Sequence, residues 1–206
     1  VVDYTSMVPM LQAIRAAGGA PITRVFSNDP FQIMRSMDAG ALGVIVPLVN
    51  NAEEAACTVA ACHYPPRGIR SYVPIRAAGV IGSKDPEDLA REILCIVMVE
   101  MLEGLEKVEE IAATPGVDGI YIGPADLALS LGLPPTTKIA ENAHVESVRK
   151  IRETYKKHGI VAGIHATSGE WARKHAEAGF DMVTVAADAS LLEDAARREV
   201  AVACGE

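Results

Sequence analysis

The chain has 206 residues, half of them apolar and only 4% aromatic, with a formal net charge of −8. That acidity excludes the basic footprint a nucleic-acid-binding surface requires, and no apolar run approaches the ~18 to 20 residues of a membrane-spanning helix. Cys57, Cys62, Cys95 and Cys204 show neither paired metal spacing nor disulfide-scaffold density, which fits small core hydrophobes in a reducing cytosol. A soluble cytoplasmic α/β protein with an aliphatic core, one domain over 1–206, is expected.

The chain opens on a predicted helix. Thr5 or Ser6 caps it, Pro9 lies in its first turn, Met7, Met10, Leu11 and Ile14 recur with helical period, and Gly18-Gly19 stops it. PITRVF follows as a short strand with Ile22, Arg24 and Phe26 on one face. Asn28 or Asp29 caps a second helix, with Pro30 at its first position and Gly40 at its end. GVIVPLV (43–49) is a continuous apolar strand of the kind buried on both faces in parallel sheets. Asn51 and Glu53-Glu54 start a helix reaching about His63, and 64–83 reads as a long loop rich in Pro, Gly and Arg.

A short helix from Asp85-Pro86 leads to a strand over 94–99, then a helix striped by Leu105, Val108, Ile111 and Ala112. GIYIGP is the next strand. A helix over about 142–157 turns Val145, Val148, Ile151 and Tyr155 inward. IVAGIHA (160–166) is a strand, Ser168 caps a helix ended by Gly179, MVTVAA (182–187) is the last strand, and a final helix covers about 190–203.

Six strands alternate with helices, and every connection fits a right-handed crossover. The spacing is that of a (β/α)₈ TIM barrel two strands short of closure. A doubly wound open sheet alternates too, but no G-x-G-x-x-G follows the first strand. Opening on a helix leaves the first strand with nothing before it, so the expectation is a barrel whose first two strands are absent from this chain.

One carboxylate stands just past each of two successive strands: Glu100 after LCIVMV and Asp126 after GIYIGP. On parallel neighbours these ends lie roughly 5 Å apart, at the rim where parallel barrels carry their active sites. Two carboxylates with open positions suit Mg²⁺ or Mn²⁺; equally, each acid could simply open a loop or cap a helix. Gly123-Pro124-Ala125-Asp126 makes a strand-to-helix turn whose free N–H groups point into the same rim and suit a carboxylate or phosphate. Arg24, inside a short strand, is expensive to bury alone, so it is paired with an acid or aimed at an anionic ligand. Arg, metal and helix N-terminus together describe a site for a small oxoacid.

His165, just past a strand, either contacts substrate or is a rim histidine held by backbone, with the second reading favoured. His63, His144, His158 and His175 fall on helices or their ends and are expected at the surface. Trp171 is expected to pack in the outer helix layer. Arg67 and Arg70 face either a substrate carboxylate or a neighbouring subunit.

Taken together, IVMVE, GVDGIYIGPADL, YPPRGIRS, RVFSNDP and VPLVNNAEEA resemble the metal-dependent class II 2-oxoacid aldolases of the hydroxy-oxo-heptanedioate aldolase type, along essentially the whole chain. The resemblance implies a (β/α)₈ barrel of the phosphoenolpyruvate/pyruvate superfamily. It implies a hexamer or trimer of dimers with an exchanged C-terminal helix, and a place in aromatic-compound catabolism. The implied reaction is reversible aldol cleavage of a 4-hydroxy-2-oxoacid to pyruvate, or a similar oxoacid, and an aldehyde. The implied metal ligands are Glu100 and Asp126, holding Mg²⁺, Mn²⁺ or Co²⁺. Backbone groups of Ala125 and Asp126 would hold the oxoacid carboxylate, and Arg24 would steady the enolate.

Two features depart from the family pattern. The family's general base is a histidine upstream of the segment matching 3–17, and the chain begins after that point. Met98 stands at the substrate-binding position where relatives often carry glutamine. The resemblance also gives Asp38 a catalytic role in raising that histidine's basicity. A helix C-terminus, where Asp38 falls, faces the opposite rim of its own barrel, so Asp38 could act only on a neighbouring subunit. The rival readings are a malyl- or citramalyl-thioester lyase of the same superfamily and a barrel that binds an oxoacid without turnover.

Overall fold

The structure, a computed structural model, describes residues 3–205. In chain order its elements are α1 (Tyr4–Ala16), β1 (Thr23–Arg24), α2 (Pro30–Asp38), β2 (Gly43–Val46), α3 (Ala52–Cys62), α4 (Ile75–Ile81), α5 (Pro86–Arg91) and β3 (Leu94–Val99). There follow α6 (Leu102–Glu106), α7 (Val108–Ala112), β4 (Gly119–Ile122), α8 (Pro124–Ser130), α9 (Asn142–His158), β5 (Val161–Ile164), α10 (Gly169–Glu177), β6 (Met182–Val183) and α11 (Asp188–Cys204).

The six strands pair in sequence order, β1 to β6, and every pairing is parallel. A doubly wound sheet would reverse direction at a switch point; this one never does. It is a curled half-barrel, and no further strand pairs with β1 or β6 among the described residues.

Strand alternation sorts the side chains. Val44, Val46, Val97, Val99, Ile120 and Ile122 pack outward against the helices in the main core. Ile45, Ile96, Met98 and Tyr121 face the other way and form a smaller cluster on the concave face. The continuous apolar strands are thus buried on both faces, as parallel sheets require.

Helix starts follow local side-chain chemistry. Asn51 accepts from the Glu54 N–H at 2.8 Å, Asp29 from Phe31 N–H at 2.8 Å, and Ser168 from Trp171 N–H at 3.4 Å. The first helix corrects the sequence reading: Asp3, not Thr5 or Ser6, is its cap, accepting from Ser6 N–H at 2.8 Å. Asp3 lies one residue before the helix, where its carboxylate reaches back over the first turn. Segment 64–83 is not all loop, because α4 forms within it. The single helix expected from the stripe Leu105, Val108, Ile111 and Ala112 is broken at Lys107 into α6 and α7.

On α9 the inward face is His144, Ser147, Val148, Ile151, Thr154 and Tyr155, while Val145 is 40% exposed. The three-and-four spacing from Ile151 selects position 144 over 145. His63, His144 and His175 are accordingly buried rather than superficial. His158 is half-buried, 3.0 Å from Glu109. Trp171 packs near His175 in the outer layer, with Lys174 Nζ 4.5 Å over its ring.

Candidate functional site

Glu100 directly follows β3 and is 2% exposed. One carboxylate oxygen, Oε1, accepts the Leu48 N–H at 3.0 Å, while the other, Oε2, is buried without a hydrogen-bond partner among the described residues. Leu48 reaches this position through a left-handed backbone, φ 57°, a conformation strained for a γ-branched residue and common at functional sites. Opposite Oε2 stands Gly123, the residue between β4 and α8; a Cβ there would lie 2.5 Å from Oε2. Only glycine lets the β4 turn approach the carboxylate so closely.

Asp126, in the first turn of α8, is exposed beside it. Burial pushes the Glu100 carboxyl above its ordinary pKa. The Leu48 N–H counters that rise, Asp126 adds to it, and the Arg24 guanidinium opposes it. A buried carboxylate with an unpartnered oxygen, next to a second acid, carries a defect that a bound cation would cure. Glu100 and Asp126 thus fit a hard divalent cation through two oxygens. No group of three or more His, Cys, Asp or Glu side chains converges on a metal position among the described residues. The remaining positions would fall to substrate and water.

A cavity of about 450 Å³ at this rim is lined by Arg24, Met98, Ala125, Asp126 and His165, with Tyr121 and Thr184. Sequence-predicted site residues from β1, β3, the β4 turn and β5 therefore meet at one rim. Arg24 is exposed there rather than buried, so the anticipated cost of a buried guanidinium does not arise. It makes no ion pair among the described residues and faces the cavity as an available cation. Met98 is 5% exposed and packs the wall apolar. Pro124 has no N–H, and α8 bonding begins with Leu127 N–H to Gly123 C=O at 3.0 Å. The Ala125 and Asp126 N–H groups are thus first-turn donors without helical partners.

Asp38 is not brought to this rim. It sits at the C-terminal end of α2, at the opposite end of the sheet, and accepts from Arg70 Nη2 at 2.7 Å and Nε at 3.3 Å. Arg70 is 2% exposed and lies 4.6 Å over the Tyr64 ring. Its guanidinium is therefore taken up within the fold rather than facing a substrate.

The sequence reading does not single out Leu48, Tyr121, Thr184 or His144; it places Gly123 in the strand-to-helix turn but not its close approach to Glu100. The only visible signal was Thr184, a hydroxyl inside the apolar run MVTVAA. His144 lies fully buried against the back of the Pro124 turn; burial pulls its imidazole below the ordinary pKa, and the Pro124 carbonyl partly offsets this.

His165 is held by side chains rather than by backbone alone. Its Nδ1 lies 2.9 Å from Thr184 Oγ1, and the Tyr121 hydroxyl lies 3.2 Å from the same Oγ1. The Tyr121 ring fits because Gly163 has no Cβ, which would come 2.5 Å from the ring.

Known proteins share this arrangement of strands. The chain is 40% identical over 200 residues to the hydroxypyruvate/pyruvate aldolase of Rhizorhabdus wittichii, covering 97% of this chain and 80% of that protein. It is 36% identical over 202 residues to the 5-keto-4-deoxy-D-glucarate aldolase of Klebsiella pneumoniae, covering 95% and 77%. A crystal structure from Burkholderia cenocepacia, of a HpcH/HpaI aldolase/citrate lyase family protein, superposes with a TM-score of 0.84 at 32% identity, over 96% of this chain and 79% of that one. The model of one family matches residues 2–195. The chain belongs to the HpcH/HpaI aldolase/citrate lyase family.

Proposed function

We propose that this protein is a divalent-metal-dependent aldolase, a carbon–carbon lyase that reversibly cleaves a 4-hydroxy-2-oxoacid to pyruvate, or a similar oxoacid, and an aldehyde. The observation that carries the reading is Glu100: buried at the strand rim, with one oxygen unpartnered and Asp126 beside it. The aldolases named above, similar along nearly the whole chain, support the reaction class.

In this reading Glu100 and Asp126 hold the cation, Mg²⁺ or Mn²⁺ by oxygen preference, with Co²⁺ also compatible. When bound, it supplies Lewis-acid polarisation of the 2-oxo group. The Ala125 and Asp126 N–H groups take the oxoacid carboxylate. Arg24 stabilises the negative charge that develops on the 2-oxo oxygen as the carbon–carbon bond breaks. Met98 offers no hydrogen bond; it excludes water from the apolar side of the cavity. Leu48, through its N–H, holds the Glu100 carboxylate in one orientation.

Asp38 enters this reading only through a second copy of the chain, whose site it would reach across an interface. A homo-oligomer is supported by α11, which buries none of its residues and exposes Leu191, Leu192, Val200 and Val202. The cytoplasm suits its four free thiols.

The test is pyruvate release from a 4-hydroxy-2-oxoacid by the protein with and without EDTA, and by Glu100→Gln. Loss of release under both conditions is expected. Release that survives EDTA and the substitution contradicts the metal mechanism.

A further inference from the structure

Tyr121, Thr184 and His165 form a hydrogen-bonded chain on the concave face that the proposed chemistry does not use. Thr184 Oγ1 has four neighbours: the Ala166 N–H at 3.1 Å, His165 Nδ1 at 2.9 Å, the Tyr121 hydroxyl at 3.2 Å and, more distantly, the Ala166 carbonyl at 3.4 Å. Tyr121 is 4% exposed, so its O–H needs an acceptor inside the protein.

Proton accounting leaves one assignment that satisfies that need. If His165 Nδ1 carried a proton, it and the Ala166 N–H would fill both lone pairs of Thr184 Oγ1. Tyr121 would then have no acceptor, because its other neighbour is the same Nδ1 at 3.5 Å. With Nδ1 bare, Ala166 N–H and Tyr121 O–H both donate to Thr184, and Thr184 donates to Nδ1. The imidazole proton then resides on Nε2. His165 Nε2 has no partner among the described residues and is not sealed by protein, and the residue lines the cavity shared with Asp126 and Arg24. Burial and Arg24 both lower the His165 pKa, a direction that favours the neutral ring.

The position decides what this donor meets. Glu100 follows β3, Asp126 follows β4, and His165 follows β5, one strand further round. That step is about 4.8 Å, the reach of a few carbon–carbon bonds from an oxoacid held between β3 and β4. We propose that His165 selects the substrate: its Nε2–H donates to an oxygen on the aldehyde-derived half, so the protein favours aldehydes hydroxylated beside the carbonyl over their deoxy analogues. Tyr121 and Thr184 are positioning residues that hold the ring's tautomer. The inference rests on the aldolase reading above, because it needs an aldehyde to act on.

Three measurements on the protein test it. First, the ratio of kcat/KM for glycolaldehyde to that for acetaldehyde, with pyruvate as partner, falls about tenfold in His165→Leu, the scale of one hydrogen bond. The ratio falls about threefold in Thr184→Val, and His165→Gln, whose amide still donates, keeps most of it. Equal loss for both aldehydes, or an unchanged ratio, overturns the assignment. Second, ¹⁵N NMR of the histidines shows a bare Nδ1 in wild-type His165 and a tautomer mixture in Thr184→Val. A protonated Nδ1 in the wild type overturns the donor role whatever the kinetics show. Third, pyruvate methyl-proton exchange into D₂O separates the two readings. Exchange with an unchanged aldehyde ratio defeats this inference alone, and wild-type protein without metal-dependent exchange defeats the aldolase reading and this inference with it.

Discussion

At the N-terminal ends of the strands, polar side chains are taken up by the fold. Asp118 accepts the Cys95 N–H of the neighbouring strand at 2.7 Å, and Asp181 accepts the Ala162 N–H at 2.9 Å. Asp38 is paired with the buried Arg70 at 2.7 Å. At the C-terminal ends the polar groups are left, among the described residues, with something to spare: an unpartnered oxygen on Glu100, an exposed Asp126, an unpaired Arg24 and the free Nε2 of His165. One sheet thus carries the same residue types at both ends, used for pairing at one and held ready at the other. Stability and chemistry are separated in this parallel sheet by which polar atoms the protein itself satisfies.

Substitutions should divide along that line. The largest effect belongs to the ready end: Asp126→Asn lowers the rate of pyruvate release roughly 10³-fold while its thermal melt stays close to wild type. Next, Asp118→Ala leaves the Cys95 N–H buried and unpaired. It should destabilise by about 2 kcal/mol, read by urea unfolding, with the kcat of folded protein within twofold. A melting change in Asp126→Asn as large as that in Asp118→Ala would erase the contrast.

Gly123→Ala sharpens it from the other side. The added Cβ must displace the Glu100 carboxylate, so metal affinity should fall about tenfold in a calorimetric titration while the helices remain intact by circular dichroism.

A smaller effect follows from the raised pKa of Glu100. The folded protein holds that proton more tightly than the unfolded chain does. The associated stability is present at low pH and lost as pH rises through the folded value. Glu100→Gln should therefore stabilise the metal-free protein at neutral pH by about 1 kcal/mol, roughly 2 to 4 °C in Tm, and flatten its Tm–pH profile above the carboxylate range. A lower Tm for this variant would show that Glu100 is a structural acid.

Much of the architecture was legible because it rests on local rules. Asn51, Asp29 and Ser168 cap helices as their positions suggest, and the apolar strands with their parallel order follow from alternation with helices. Glu100 and Asp126 were visible because each falls one residue type out of register with an apolar run, at the same point of successive repeats. What escaped depended on tertiary approach. Leu48 carries no sequence mark of its left-handed backbone, since glycine is the usual sign of that conformation. His144 and Val145 differ by one position, and only the docking of α9 on the Pro124 turn decides between them. Arg70 stays open in the sequence between a substrate carboxylate and a neighbouring subunit, because nothing local shows that Asp38, 32 residues away, awaits it. The aromatic–hydroxyl–imidazole chain of Tyr121, Thr184 and His165 joins three strands, and no spacing rule predicts that.

In the proposed function Glu100 and Asp126 act as one cation site for an oxoacid. Calorimetric titration of Mn²⁺, with and without pyruvate, into wild type, Glu100→Gln, Asp126→Asn and Asp118→Asn tests this most directly. Binding that pyruvate strengthens in the wild type and in Asp118→Asn, and that is lost in both rim variants, is the predicted result. Mn²⁺ binding as tight in Glu100→Gln as in the wild type would contradict it.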